Sequence, residues 1–147
     1  MSRLNLFIID TNVLVAGLIS SQPSSPTVTI VDAMLDGSLL FLLSPELLRE
    51  YRTVLLRPKL ISLHRLSEAQ VDRILTEITA NALWREPLAQ VPSPAPDPND
   101  DHLWALLATE FSAILVTGDQ LLYENPPVRR SVISPASCVT LLRNQAT

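Results

Sequence analysis

The chain has 147 residues, 47% of them hydrophobic and 18% charged, with 15 Asp and Glu against 11 Lys and Arg for a net charge of −4. That is about one domain, apolar enough for a packed core, which excludes a disordered segment, a basic nucleic-acid arm and a polybasic membrane binder. Three glycines leave no room for a G-x-x-x-x-G-K or G-x-G-x-x-G phosphate loop, and the single Cys138 excludes an internal disulfide and a cysteine-built zinc site.

In chain order, Leu4–Ile9 is an apolar, β-branched run ending in Asp10, as expected of a central strand covered on both faces. A helix is predicted over Asn12–Ile19, broken by Pro23 and Pro26, and a second over Thr27–Asp36 with Gly37 as its cap. Leu39–Leu43 reads as the next buried strand. Ser44-Pro45-Glu46 opens a helix to about Leu56, with Ser as N-cap and Pro at the first position. Ser67-Glu68-Ala69-Gln70 is a capping box and starts a helix through about Leu83. Five of the 12 prolines fall between Pro87 and Pro98 and make that stretch a loop. A helix follows over Asn99–Phe111, its buried stripe being Leu103, Trp104, Leu107 and Phe111. Ala113–Thr117 and Arg130–Ser134 are the later strands, and Ser134-Pro135 caps a final helix to about Arg143.

Strands alternating with helices predict one domain over residues 1–147, an α/β fold with a parallel sheet between helical layers. No run approaches the length of a membrane span and no secretory signal is visible, so a soluble, cytoplasmic protein is expected. Sites in such sheets form beyond the carboxyl ends of the strands. Two strands there end in Asp10 and in Thr117-Gly118-Asp119, which puts two carboxylates on one rim.

Two more acids draw attention. On the Pro45–Leu56 helix, Leu47, Leu48, Tyr51, Val54 and Leu55 form the buried stripe, and Glu50 borders it. A carboxylate there needs a partner, either an Arg or a metal ion. Asp97-Pro98-Asn99-Asp100-Asp101 enters the next helix, where acids also serve as caps and dipole partners. Periodicity barely separates Asp100 from Asp101. Asp10, Glu50, Asp100 and Asp119 gathered at one point could not all stay ionised without cations, and all-oxygen ligation suits Mg2+ or Mn2+. His64 and His102 are expected to be solvated rather than ligands.

Ile8-Ile9-Asp10-Thr11-Asn12-Val13-Leu14 resembles the opening of PIN-domain ribonucleases. Ser44-Pro45-Glu46-Leu47-Leu48-Arg49-Glu50-Tyr51, continuing through Arg57-Pro58-Lys59, is similar to the second motif of the VapC-like branch described as toxin components of toxin–antitoxin systems. Asp97-Pro98-Asn99-Asp100-Asp101 and Val116-Thr117-Gly118-Asp119-Gln120-Leu121-Leu122 resemble the third and fourth motifs. The resemblance implies a three-layer α/β/α PIN-like fold with a central parallel sheet of about five strands. It implies metal-site acids at Asp10, Glu50, Asp100 and Asp119, with Asn12, Thr117 and Thr11 as polar helpers. It further implies Mg2+- or Mn2+-dependent hydrolysis of RNA to 5′-phosphate and 3′-hydroxyl ends, a homodimer, and a small antitoxin as partner. Trp104 and Leu107 stand where many relatives carry smaller residues.

Ten of the 11 basic residues are Arg; Arg49, Arg52, Arg57 and Lys59, beside Glu50, are the candidate RNA-backbone contacts. Two other classes compete. An aspartyl-phosphate enzyme with Asp10 as nucleophile calls for a late-strand lysine, and the only lysine is Lys59 in mid-chain. A catalytically inactive PIN-like module binding RNA or protein is the alternative that the intact acids oppose. Setting the four site acids aside leaves 11 acids against 11 bases, so the excess negative charge coincides with the proposed metal site.

Overall fold

Strand β1, Leu6–Ile9, is apolar because it is the middle strand: Phe7, Ile8 and Ile9 are wholly buried. The computed structural model describes residues 4–87, 94–127 and 129–145. On one side β1 pairs with β2, Leu40–Leu43, which pairs with the short edge strand β3, Leu83–Trp84; on the other it pairs with β4, Ala113–Val116, which pairs with β5, Ser131–Ile133. Every pairing is parallel, in the order β3-β2-β1-β4-β5. Among the described residues eight helices cover the sheet: α1 Thr11–Ile19, α2 Pro26–Asp36, α3 Pro45–Leu55, α4 Pro58–His64, α5 Glu68–Asn81, α6 Asp101–Ala108, α7 Gln120–Glu124 and α8 Pro135–Gln145. The result is the three-layer α/β/α fold that the alternation predicts.

Local signals account for most boundaries. Ser44 Oγ accepts the Leu47 N–H at 3.1 Å and starts α3, and Ser67 with Gln70 forms the capping box of α5. Gly37 closes α2 at φ +83°, where a side chain would be strained. Four features differ from the expectation. Pro58 ends one helix and also begins another, because proline is well suited to a first helical position, and α4 stands where the sequence predicts a connection. Helix α5 stops at Asn81, whose side-chain amide donates to the Met34 and Leu35 carbonyls at the end of α2, and Leu83–Trp84 turns into β3 instead. The short helix α7 follows Asp119. Helix α6 begins only at Asp101, after a 3-10 turn at Pro98–Asp100, and ends at Ala108. Phe111 thus falls off its stripe and is 83% exposed, with the Arg130 guanidinium 5.9 Å from its ring centre. Of the predicted proline-rich loop, residues 88–93 lie outside the described residues.

Among the described residues no helix is long and apolar enough to cross a membrane. The topology has one reversal: the chain moves outward from β1 through β2 to β3, then returns to lay β4 on the other side of β1. The crevice between the carboxyl ends of β1 and β4 is the place where such sheets bind ligands.

Candidate active site

The register aligns Ile9 with Val116, and the ladder continues one step further as the Asp10 N–H donates to the Val116 carbonyl at 2.9 Å. Asp10 and Thr117 therefore leave the sheet side by side. Asp10 is 4% exposed and begins α1, its Oδ1 accepting the Thr11 N–H at 2.7 Å. Its Oδ2 accepts the Thr117 hydroxyl at 2.8 Å and the Asn12 side-chain amide at 3.2 Å. Thr117 Oγ1 in turn accepts the Asp119 N–H at 3.0 Å and the Asn12 amide at 3.2 Å, so its one donor and two acceptor positions are all used. Asn12 Oδ1 accepts the Gly118 N–H at 2.8 Å. A Cβ at Gly118 would stand 3.3 Å from that oxygen, so the close approach of the two loops favours glycine. Asn12 and Thr117 lock the β1–α1 and β4–α7 turns together around one carboxylate.

Glu50, Asp100 and Asp119 face the same space. With Asp10 they line an open cavity of about 450 Å³, whose other wall is aliphatic, from Val15, Ala16 and Ile19 of α1 and Val54 of α3. Asp119 also accepts the Leu121 N–H at 3.0 Å and so caps α7. Asp100 and Asp101, which periodicity could not separate, have different tasks: Asp100 lines the cavity, while Asp101 accepts the Ala95 N–H at 2.8 Å and pins the preceding loop. Thr11 lines the cavity too, and its buried Oγ1 has no hydrogen-bond partner among the described residues.

Burial pushes the Asp10 carboxyl up and the Glu50 charge adds to this, against the lowering by the Thr117 and Thr11 hydrogen bonds. Burial, followed by the charges of Asp10, Asp97, Glu50 and Asp119, raises Asp100 to about 6. Negative charge is thus in excess at the cavity. Among the described residues no three or more His, Cys, Asp and Glu side chains are arranged so that they could hold a metal ion. A cavity rimmed by carboxylates with space for water is the kind of site that suits Mg2+ or Mn2+, which keep several waters when bound. The donor set is all oxygen, the carboxylates repel one another, and a buried hydroxyl faces no partner; the chemistry of the donors, rather than a closed ligand geometry, fits such an ion.

Two residues that the sequence reading did not place here belong to the site's frame. Tyr51 is fully buried, and its hydroxyl donates to the Ile9 carbonyl, one residue before Asp10. Burial, then the charges of Asp10 and Glu50, hold its phenol well above the ordinary range, so it stays a neutral donor. Its place on the buried stripe was legible, but the partner of its hydroxyl was not. His102, expected in solvent, is instead covered where α6 packs on α3, and its Nε2 lies 2.7 Å from Glu50 Oε2. Burial disfavours its charged form, but the Glu50 hydrogen bond and charge more than offset this, and its pKa is raised. His64 is also buried rather than solvated: Nε2 donates to the Leu55 carbonyl at 2.8 Å, and Nδ1 accepts the Leu66 N–H at 2.9 Å.

The basic cluster divides. Arg52 is held by Asp72 at 2.8 Å and Glu68 at 2.7 Å, so its charge is already matched. Arg49, Arg57 and Lys59 are exposed and have no ion pair among the described residues. Arg130 is turned inward to the Leu107 and Glu110 carbonyls at the end of α6.

Compared with known protein families, residues 7–121 match a model described as a PIN domain, a nuclease-type fold. No curated protein and no solved structure gives a match. The matched span runs from β1 into α7 and contains all four cavity acids, Asn12 and Thr117.

Proposed function

Since this chain belongs to the PIN-domain family, we propose that it is an endoribonuclease dependent on Mg2+ or Mn2+, with Asp10, Glu50, Asp100 and Asp119 as the residues that hold the metal. The observation that carries this reading is the convergence of four carboxylates, from four separate segments, on one cavity at the topological switch point. When bound, a divalent ion supplies the charge that makes water a stronger acid and offsets the negative charge of a phosphodiester under attack.

The chain's own residues set the stage. Asp10 is fixed by three hydrogen bonds and has little freedom to turn away. Asn12 and Thr117 keep Asp119 in register with Asp10 through the Gly118 and Asp119 backbone N–H groups. Raised proton affinity at Asp10 and Asp100 favours cation capture over leaving the carboxylates bare. Arg49, Arg57 and Lys59 carry unmatched positive charge near Glu50 in sequence and are the proposed contacts to the RNA backbone.

The motif run supports a finer reading as the toxin component of a toxin–antitoxin system, a cytoplasmic homodimer neutralised by a small antitoxin. Two measurements on one preparation test the enzyme reading: the shift in melting temperature on adding Mn2+, and cleavage of RNA with and without EDTA. Stabilisation by Mn2+ with EDTA-sensitive cleavage to 5′-phosphate ends supports it. Stabilisation without cleavage favours the inactive, RNA- or protein-binding module.

A further inference from the structure

Glu50 depends on a single polar contact for its orientation. It projects from a helix on a long side chain that is 34% exposed, and its only polar partner among the described residues is His102. Asp10 and Asp119, in contrast, accept backbone N–H groups next to them in the chain. While bonded to His102, Glu50 lines the cavity with the other acids, so the orientation that the histidine holds is the cavity-facing one. The His102 side chain is 12% exposed and its Nδ1 is buried without a partner, so its one hydrogen bond is the contact with Glu50. An imidazole with an orphaned nitrogen gains little for the core, since a buried polar atom without a partner costs stability.

We infer that His102 is a positioning residue: its Nε2–H holds Glu50 in the cavity-facing orientation and ties α3 to the segment carrying Asp100. His102 lies two residues beyond Asp100 and reaches across to α3. One side chain therefore sets the separation of two acids that arrive on different segments, while the Glu50 Oε1 oxygen is left for the cavity. This rests on the metal-site reading above.

The test is calorimetric titration of Mn2+ into the RNA-free protein for the parent, His102→Leu and His102→Gln, and for the same changes made in a Glu50→Gln background. His102→Leu removes the donor, and its Mn2+ dissociation constant rises about tenfold or more, as is typical when a partner of a metal ligand is lost. His102→Gln presents an amide N–H at comparable reach and stays within about threefold of the parent. In the Glu50→Gln background His102→Leu adds no further loss, because its effect runs through that carboxylate. The inference is overturned if His102→Leu binds Mn2+ like the parent, if both variants weaken alike, or if the loss persists with Glu50 already changed. Should the leucine variant not fold, a weakened glutamine variant overturns it by itself. A parent that binds no Mn2+ overturns the metal-site reading and this inference with it.

Discussion

Asp100→Asn removes a charge that works against folding. The Asp100 carboxyl moves from an ordinary 3.8 to about 6, and its side chain makes no hydrogen bond or ion pair among the described residues. At full weight that displacement corresponds to about 3 kcal/mol against the folded, metal-free protein. The cavity is open to water, and screening reduces this to about 1–2 kcal/mol. The sign follows from linkage: the folded-state value lies above the unfolded one, so the cost is fully present above pH 6, falls between 6 and 3.8, and vanishes below. Asparagine has nearly the same shape and forfeits no bond. In EDTA at pH 8 the variant is expected to melt about 3–6 °C above the parent. At pH 4.5 about a third of the gain remains. Mn2+ reverses the order, stabilising the parent more than the variant. Differential scanning calorimetry at the two pH values reads both effects. A variant that melts no higher than the parent at pH 8, or a gain independent of pH, refutes the placement of Asp100 as a partly buried carboxylate beside the other acids.

Tyr51→Phe removes the hydroxyl that reaches the Ile9 carbonyl inside the core. It is expected to cost about 1–2 kcal/mol in urea unfolding at an unchanged slope; an unaltered midpoint counts against the tether. Arg57→Ala and Lys59→Ala are expected to weaken RNA binding and to reduce its salt dependence by about one unit of slope per lost phosphate contact. Arg52→Ala, whose guanidinium is already matched by Asp72 and Glu68, changes that slope less. Equal effects from Arg52 and Arg57 in a salt titration would contradict this division.

What the sequence revealed and what it concealed divide along the range of the interactions involved. Helix starts at Ser44 and Ser67, the Gly37 cap and the buried strands are local signals, and each stands where patterning places it. Asp10 and Asp119 were legible because a strand end is a position in a topology, and parallel strands bring such ends to one rim. Phe111 lies off the buried stripe because the helix ends at Ala108, with Thr109 as its cap, three residues short of the span its apolar periodicity predicts. For a different reason, His102 departs from the solvated position that its helical offset predicts. Its offset from the stripe of α6 was correct, but a residue off one helix's own core face can still be covered by another helix, and α3 covers it. Asp100 and Asp101 differ only in what the folded chain brings to them, the cavity or the Ala95 N–H, which no periodicity encodes. The strand-end positions of Asp10 and Asp119 and the stripe-edge position of Glu50 are thus readable one by one, while the links within the candidate site, Asn12 to Gly118, Tyr51 to Ile9 and His102 to Glu50, exist only in three dimensions.

The most direct test of the central claim is single-turnover cleavage of RNA in Mn2+ by the parent and by Asp10→Ala, purified identically, each repeated in EDTA. A catalytic carboxylate cluster predicts cleavage by the parent that EDTA abolishes, and loss of at least about a hundredfold in Asp10→Ala at all Mn2+ concentrations. Cleavage by Asp10→Ala at the parent's rate, or parental activity that survives EDTA, would contradict it.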